Sequence, residues 1–215
     1  TSGTNDSDVI KSKSAWWNWS DPNTWEWWRV PWENDSVSIN WEVSLGQNTK
    51  VKTLELTQNG ILENNICWSY EIETTWNIIN NWTIKSIQWP ASCWGSQQEY
   101  TNTIKVKINS SILNNWTINW IGADFYWDYL ENKWNWKGWE LKLIGSWTKT
   151  VNTAEWKKIE SNVVLEWDFE IKWNPKFTSL NLNNKNLTLN NSLIEINNLW
   201  WWGNVVWTWW TIKWV

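Results

Sequence analysis

Apolar and polar residues alternate in this chain in runs of only a few residues, and most runs stop at an asparagine-bearing corner. Val37, Ile39, Val43 and Leu45 alternate in this way, as do Val51, Leu54 and Leu56 with one slip. Similar runs follow at 104–108, 141–144, 163–171 and 180–189. Period-two alternation marks a strand with one buried face, and no stretch carries a sustained helical period. Two segments echo each other: residues 77–84 read N-I-I-N-N-W-T-I and residues 111–118 read S-I-L-N-N-W-T-I. A second echo links K-T-L-E-L at 52–56 with T-S-L-N-L at 178–182. Strands this short cannot bury an apolar face alone, whereas stacking one coil on the next buries it continuously. The expected fold is all-β, a right-handed parallel β-helix. The alternative is a β-sandwich built from the same strands.

The corners carry the wrong residue for their geometry. Asn81-Trp82-Thr83, Asn115-Trp116-Thr117 and Asn119-Trp120 place tryptophan where an Asn-Gly turn would place glycine, and Trp27-Trp28, Trp16-Trp17 and Trp209-Trp210 read as glycine pairs. Tight turns need a positive φ that glycine adopts freely and a bulky side chain resists. The chain has 30 Trp and 8 Gly, although glycine ordinarily makes up about 7% of a protein. Two readings account for this. In the first, the gene belongs to a lineage that decodes UGA as glycine and has been translated with UGA as tryptophan. An A/T-rich gene fits that reading, since Asn and Ile are abundant and Arg29 is the only arginine. In the second, the protein is truly tryptophan-rich and displays an aromatic, carbohydrate-binding surface. The tryptophans follow turn grammar rather than a core period, which favours recoding.

Two tryptophans sit in a different context. Residues 16–35 read W-W-N-W-S-D-P-N-T-W-E-W-W-R-V-P-W-E-N-D. With glycine at Trp16, Trp17, Trp27, Trp28 and Trp32, this stretch resembles the N-terminal signature of bacterial extracellular β-helix proteins and of the related domain family named for its eight glycines. Trp19, Asp21, Pro22, Thr24, Trp25, Val30, Pro31 and Asp35 match the pattern as they stand. The resemblance covers about a tenth of the chain. It implies a glycine-rich, secreted or cell-surface solenoid and says little about activity.

On length, 215 residues suit one solenoid domain, expected over 16–215 after a polar lead-in at 1–15. Excursions from the solenoid are expected near 88–100 and 122–138, where alternation breaks down. The chain ends at T-I-K-W-V, which reads as the middle of a strand continuing beyond it, and it carries no Met and no signal peptide, as a mature product or excised fragment would. A net charge of −4 without a basic cluster argues against nucleic acid, and no apolar run is long enough to cross a bilayer. Cys67 and Cys93 are the only cysteines. In an oxidising compartment they would form one disulfide, worth about 3 kcal/mol; two separate buried thiols are the alternative. Neither belongs to a CxxC pair, so zinc is not indicated.

Binding residues are expected where the alternation is interrupted, because loops on a rigid scaffold carry function. Asp124, Asp128 and Glu131, with Phe125, Tyr126 and Tyr129 beside them, could form a calcium or sugar site. A solvated loop with its aromatics packed on the solenoid is the plainer reading, since the spacing matches no standard calcium loop. Glu166, Asp168 and Glu170 would share one face of a strand, the ordinary half-buried pattern, although paired carboxylates also serve glycoside hydrolysis. With no histidine in the chain, the commonest general base is missing, and Ser-His-Asp and Cys-His systems are excluded. No catalytic residue is assigned and no cofactor is required. The expected function is non-enzymatic: a secreted or cell-surface, adhesin-like β-helix that contacts glycans. The alternative is a polysaccharide-active lyase or hydrolase using carboxylates.

Overall fold

A computed structural model describes residues 9–13, 17–64, 70–86, 104–108, 111–125, 129–144, 148–154, 157–166, 168–172, 176–189, 194–200, 205–207 and 212–214. Among these residues there are strands and one 3-10 turn but no α-helix. The strands form two long parallel sheets, one of 10 strands and one of 13. Apart from three strands of the larger sheet that form a short third run, successive strands alternate between the two, so the chain winds as a parallel β-helix. One face runs from Val9–Lys11 through Ser36–Ile39, Thr53–Leu56, Ile78–Asn80, Ile112–Asn114 and Tyr129–Asn132 to Val205–Trp207. The other runs from Trp17–Asn18 through Glu42–Ser44, Ile61–Asn64, Thr83–Ser86 and Thr117–Phe125 to Ile194–Trp200 and Ile212–Trp214. A short third run of Thr49–Val51, Tyr70–Thr74 and Ile104–Ile108 merges with the second half of Thr117–Phe125.

The core is a set of columns, each built from one alternation position repeated coil after coil. Ile10, Val37, Leu54, Ile78, Ile112, Leu130 and Val151 are register partners in succession and all are buried. On the opposite face Val43, Leu62, Ile84, Ile118, Trp136, Ile159, Phe177 and Ile196 stack in the same way. In-register stacking removes apolar surface at about 25 cal/mol per Å², and parallel pairing with both faces of the ladder satisfied leaves little room for a register slip.

One column changes character midway. Ile39 and Leu56 are followed by Asn80, Asn114, Asn132 and then Thr153, all buried. Asn80 Nδ2 donates to Asn114 Oδ1 at 2.7 Å, and Asn114 Nδ2 donates to Asn132 Oδ1 at 2.7 Å. The second amide hydrogens of Asn80 and Asn114 reach the backbone carbonyls of Thr117 and Asn135. These buried amides are therefore fastened to the next coil and to the corner. The ladder stops at both ends on an unsatisfied atom, Asn80 Oδ1 and Asn132 Nδ2.

Two expected boundaries shift. The first coil begins inside the expected lead-in, because Val9–Lys11 pairs with Ser36–Ser38 and buries Ile10. The segment 122–138 does not leave the solenoid: its described residues fall in the strands Thr117–Phe125, Tyr129–Asn132 and Trp136–Leu143 and in a short corner. The register shifts between Asn119 and Ile121 and between Ile121 and Gly122. Such a bulge reverses which residues face inward, so the alternation looks broken although the strand continues. The excursion expected at 88–100 lies outside the described residues, within the long coil between Ile78 and its register partner Ile112.

Ile118→Ala should lower stability by about 2–4 kcal/mol through loss of a fully buried column member, read as a reduced urea midpoint. Asn114→Ala removes the donor to Asn132 Oδ1 and should cost about 1–3 kcal/mol in the same measurement.

Candidate functional site

The motif at 16–35 closes one end of the solenoid. Trp17–Asn18 and Val9–Lys11 are the terminal strands of their sheets among the described residues, and Trp19 and Trp25 lie fully buried in that coil. Their rings meet edge to face with centroids 4.8 Å apart, and Trp25 Nε1 donates to the Trp19 carbonyl at 2.9 Å. Asp21 accepts the Asn23 backbone N–H at 2.8 Å, and Pro22 opens the 3-10 turn Pro22–Thr24. Proline lacks an N–H and fits a first helical position. Thr24 is buried and its hydroxyl donates to the Asn18 carbonyl at 2.6 Å. Pro31 is buried, and Val30 packs against the core. Asp35 accepts from Arg29 Nη2 at 2.7 Å and from the Trp32 N–H at 2.9 Å. Burial alone would push the Asp35 carboxyl up, but the Arg29 and Trp32 hydrogen bonds outweigh it and hold it below its ordinary value. Every matched motif residue described here does structural work at the end of the tube.

The corner that follows the asparagine ladder carries the tryptophans. Register places Trp41, Gly60, Trp82, Trp116 and Trp134 in one column, each two residues before the inward positions Val43, Leu62, Ile84, Ile118 and Trp136. Gly60 alone has no side chain there, and a Cβ on it would meet the Ile39 carbonyl oxygen at 1.9 Å. Trp82, Trp116 and Trp134 stack face to face at 5.1 and 5.2 Å, almost parallel. The outer face of Trp134 is covered by Lys157 Nζ, 4.0 Å from the ring centroid. Trp19, Trp25 and Trp136 are fully buried and Trp82 is half-buried, whereas Trp27, Trp28, Trp32, Trp41, Trp76, Trp116 and Trp134 are exposed. Trp28, 68% exposed, also holds φ at 56°, the left-handed region that favours glycine.

The acidic segment resolves differently from the sequence expectation. Asp124 belongs to the strand Thr117–Phe125, in register with Lys107 and Lys142, while Tyr129 and Glu131 belong to Tyr129–Asn132 on the other face. Tyr126 and Asp128 lie outside the described residues, as do Cys67 and Cys93. The Tyr129 hydroxyl donates to Glu131 Oε2 at 3.0 Å. Burial, and then that hydrogen bond and the Glu131 charge, push the phenol pKa up. Both side chains flank the buried Leu130. Among the described residues no three acidic or sulfur ligands are placed to hold a metal ion. Glu166, Asp168 and Glu170 do not share a strand face, because the chain turns between Ile159–Leu165 and Phe169–Lys172. Asp168 holds that corner by accepting the Asn186 N–H at 2.6 Å and its Nδ2 at 3.0 Å, and these bonds lower its carboxyl pKa.

Two arrangements emerge that the sequence did not point out. The first is a carboxyl pair with a lysine. Glu63 is buried and its Oε2 lies 2.9 Å from Lys85 Nζ, its register partner. Glu42 is pushed up by burial and by the charge and hydrogen bond of Glu63, with Lys85 opposing. The second is an outward groove of about 550 Å³ where three coils meet, lined by Thr117, Asn135, Lys137, Lys157, Lys158 and Glu160 together with the backs of Ile118 and Trp136. Lys157 Nζ also donates to Asn135 Oδ1 at 3.2 Å, and Lys158 Nζ reaches Asn197 Oδ1 at 3.0 Å. Partners from different coils are unreadable in sequence, because coil length varies and the register must be known first.

Comparison with protein-family models, curated proteins and solved structures gives no match. No helix of the described residues is long and apolar enough to cross a membrane.

Asp35 titrates below its unfolded value, so its stabilising contribution is fully present above about pH 4 and is lost as pH falls through the lower native value. Asp35→Asn should flatten that acid limb of a stability–pH curve measured by urea denaturation. An unchanged acid limb would remove Arg29–Asp35 from the end-cap account.

Proposed function

We propose that this chain is a non-enzymatic, secreted or cell-surface β-helix of adhesin-like character, which contacts glycans along its outer corners. The observation that carries the reading is the groove at Thr117, Asn135, Lys137, Lys157, Lys158 and Glu160. Its hydroxyl, amide and ammonium donors and one carboxylate suit a polyhydroxylated ligand, and they stand on a scaffold whose coils fix their spacing. The resemblance of residues 16–35 to extracellular β-helix openings supports the location. The test is binding of the purified chain to a glycan array beside an assay for released sugar ends. Binding without release is expected. Release of sugar ends would favour the second reading, a polysaccharide-active enzyme, which draws support from the Glu42–Glu63–Lys85 cluster. In that case Glu63→Gln should abolish it.

A sugar stacks on an open ring face, and in the column Trp82–Trp116–Trp134 the faces between the indoles are taken by the next ring and the outer face of Trp134 by Lys157. We propose instead that most exposed corner tryptophans are glycine in the native polypeptide, through decoding of UGA as glycine. Gly60 supports this, since the one literal glycine of the column stands where a Cβ cannot fit. Trp19, Trp25 and Trp136 fill core space and belong to the native sequence.

Peptide mass spectrometry of native protein should find glycine at 28, 82 and 116 and tryptophan at 19, 25 and 136. Tryptophan at 28, 82 and 116 would overturn the recoding. In the chain as written, Trp28→Gly should raise stability by about 1 kcal/mol by relieving the left-handed backbone, seen as a higher thermal midpoint.

A further inference from the structure

The groove described above has an unusual charge for this protein. The chain as a whole is acidic, with a net charge of −4, yet Lys137, Lys157 and Lys158 line one groove against the single carboxylate of Glu160. Lys157 and Lys158 are held in place by neutral groups, the amide oxygens of Asn135 and Asn197 and the face of Trp134. Among the described residues neither forms an ion pair with a carboxylate. Four other lysines face carboxylates: Lys50 lies 3.4 Å from Glu73, Lys85 2.9 Å from Glu63, Lys133 3.6 Å from Glu131 and Lys142 3.4 Å from Glu140, while Lys13 and Lys52 lie over the rings of Trp28 and Trp76. Lys157 and Lys158 are thus tethered by neutral groups at a concave place, with their anchors on opposite sides along the axis. A cleft lined mainly by one sign concentrates counter-ions of the other.

We propose that this groove binds an acidic glycan, a polysaccharide bearing carboxylate or sulfate groups on successive sugars. The inference rests on the glycan-contact reading and adds the ligand's charge. Three features point to a polymer rather than a single small anion. The ammoniums come from adjacent coils, Lys137 from Trp136–Leu143 and Lys157 and Lys158 from the approach to Ile159–Leu165. Coils stack at about 4.8 Å, a spacing close to the length of one sugar ring, so a chain laid along the solenoid axis meets Lys137 on one coil and Lys157 and Lys158 on the next. The hydroxyl of Thr117 and the amide of Asn135 line the same groove and provide hydrogen-bonding partners for ring hydroxyls. Lys157 is tethered by Asn135 as well as by the indole, so its position does not depend on the residue at 134 alone.

The experiment compares binding of the full chain to dextran sulfate, to uncharged dextran and to inorganic polyphosphate, for the wild type and for the double variant Lys157→Gln/Lys158→Gln. Both lysines lie outside the core columns, and a thermal melt confirms that the variant keeps its fold. The wild type is expected to bind dextran sulfate, with affinity falling as salt rises from roughly 0.05 to 0.5 M. The double variant should bind roughly tenfold more weakly, with polyphosphate bound less well than the sulfated sugar. Equal binding by wild type and variant overturns the assignment of this groove. Equal binding of polyphosphate shows a site for anions rather than for acidic glycans and also overturns it. Binding to plain dextran but not to dextran sulfate overturns the charge preference and leaves the glycan reading standing. If none of the three polymers binds, and the glycan array is also blank, both fall together.

Discussion

A single coil of this protein has no interior. Its inward residues are buried only because the same position in the next coil lies directly over them, as Ile84 lies between Leu62 and Ile118. Vertical register is thus the constraint from which the remaining features follow. It fixes which side chains meet across coils, aligns the corners into columns, and brings lysines far apart in sequence into one groove. It also explains why a bulge is tolerated at Asn119–Gly122: the neighbouring strand Trp136–Leu143 shifts its pairing there, and the original register resumes from Gly122 to Phe125.

The same constraint makes corner chemistry repetitive. Where the inward column ends, Asn80, Asn114 and Asn132 fasten their amides to the following corner backbone or to one another. The next two residues then turn the chain outward at the column of Trp41, Gly60, Trp82, Trp116 and Trp134. In this column only Gly60 stands where a Cβ cannot fit, and the four indoles hold φ outside the left-handed region. At the end of the tube, by contrast, Trp19 and Trp25 fill space that only large rings fill and are hydrogen-bonded to each other. The same residue type therefore has two physical roles in one chain, and burial separates them.

The parallel all-β architecture was legible in the sequence because period-two alternation and Asn corners are local signals. The short repeat at 77–84 and 111–118 is a true coil equivalence, with Ile78 paired to Ile112 and Thr83 to Thr117. The first coil was missed because Val9–Lys11 offers a single inward residue. The segment 122–138 looks like a loop in sequence because the register shifts there interrupt the alternation. Of the residues singled out beforehand, those of the end motif are brought together, while Asp124 is placed on a different face from Tyr129 and Glu131. Lys137, Lys157 and Lys158 carried no local signal, and the Glu42–Glu63–Lys85 cluster depends on pairing between coils whose lengths differ. Electrostatics across coils becomes readable only after register is known.

The asparagine ladder has a direction. Every amide donates the same way along the axis, leaving an acceptor open at Asn80 and a donor open at Asn132. A coil inserted within the ladder would bring one donor and one acceptor and consume one of each, so the two open ends would stay two however long the ladder grew. Growth by duplication of an asparagine-bearing coil would therefore add buried amides without adding unmatched ones. The molecule's length can drift by whole coils during descent, while its interior chemistry remains balanced.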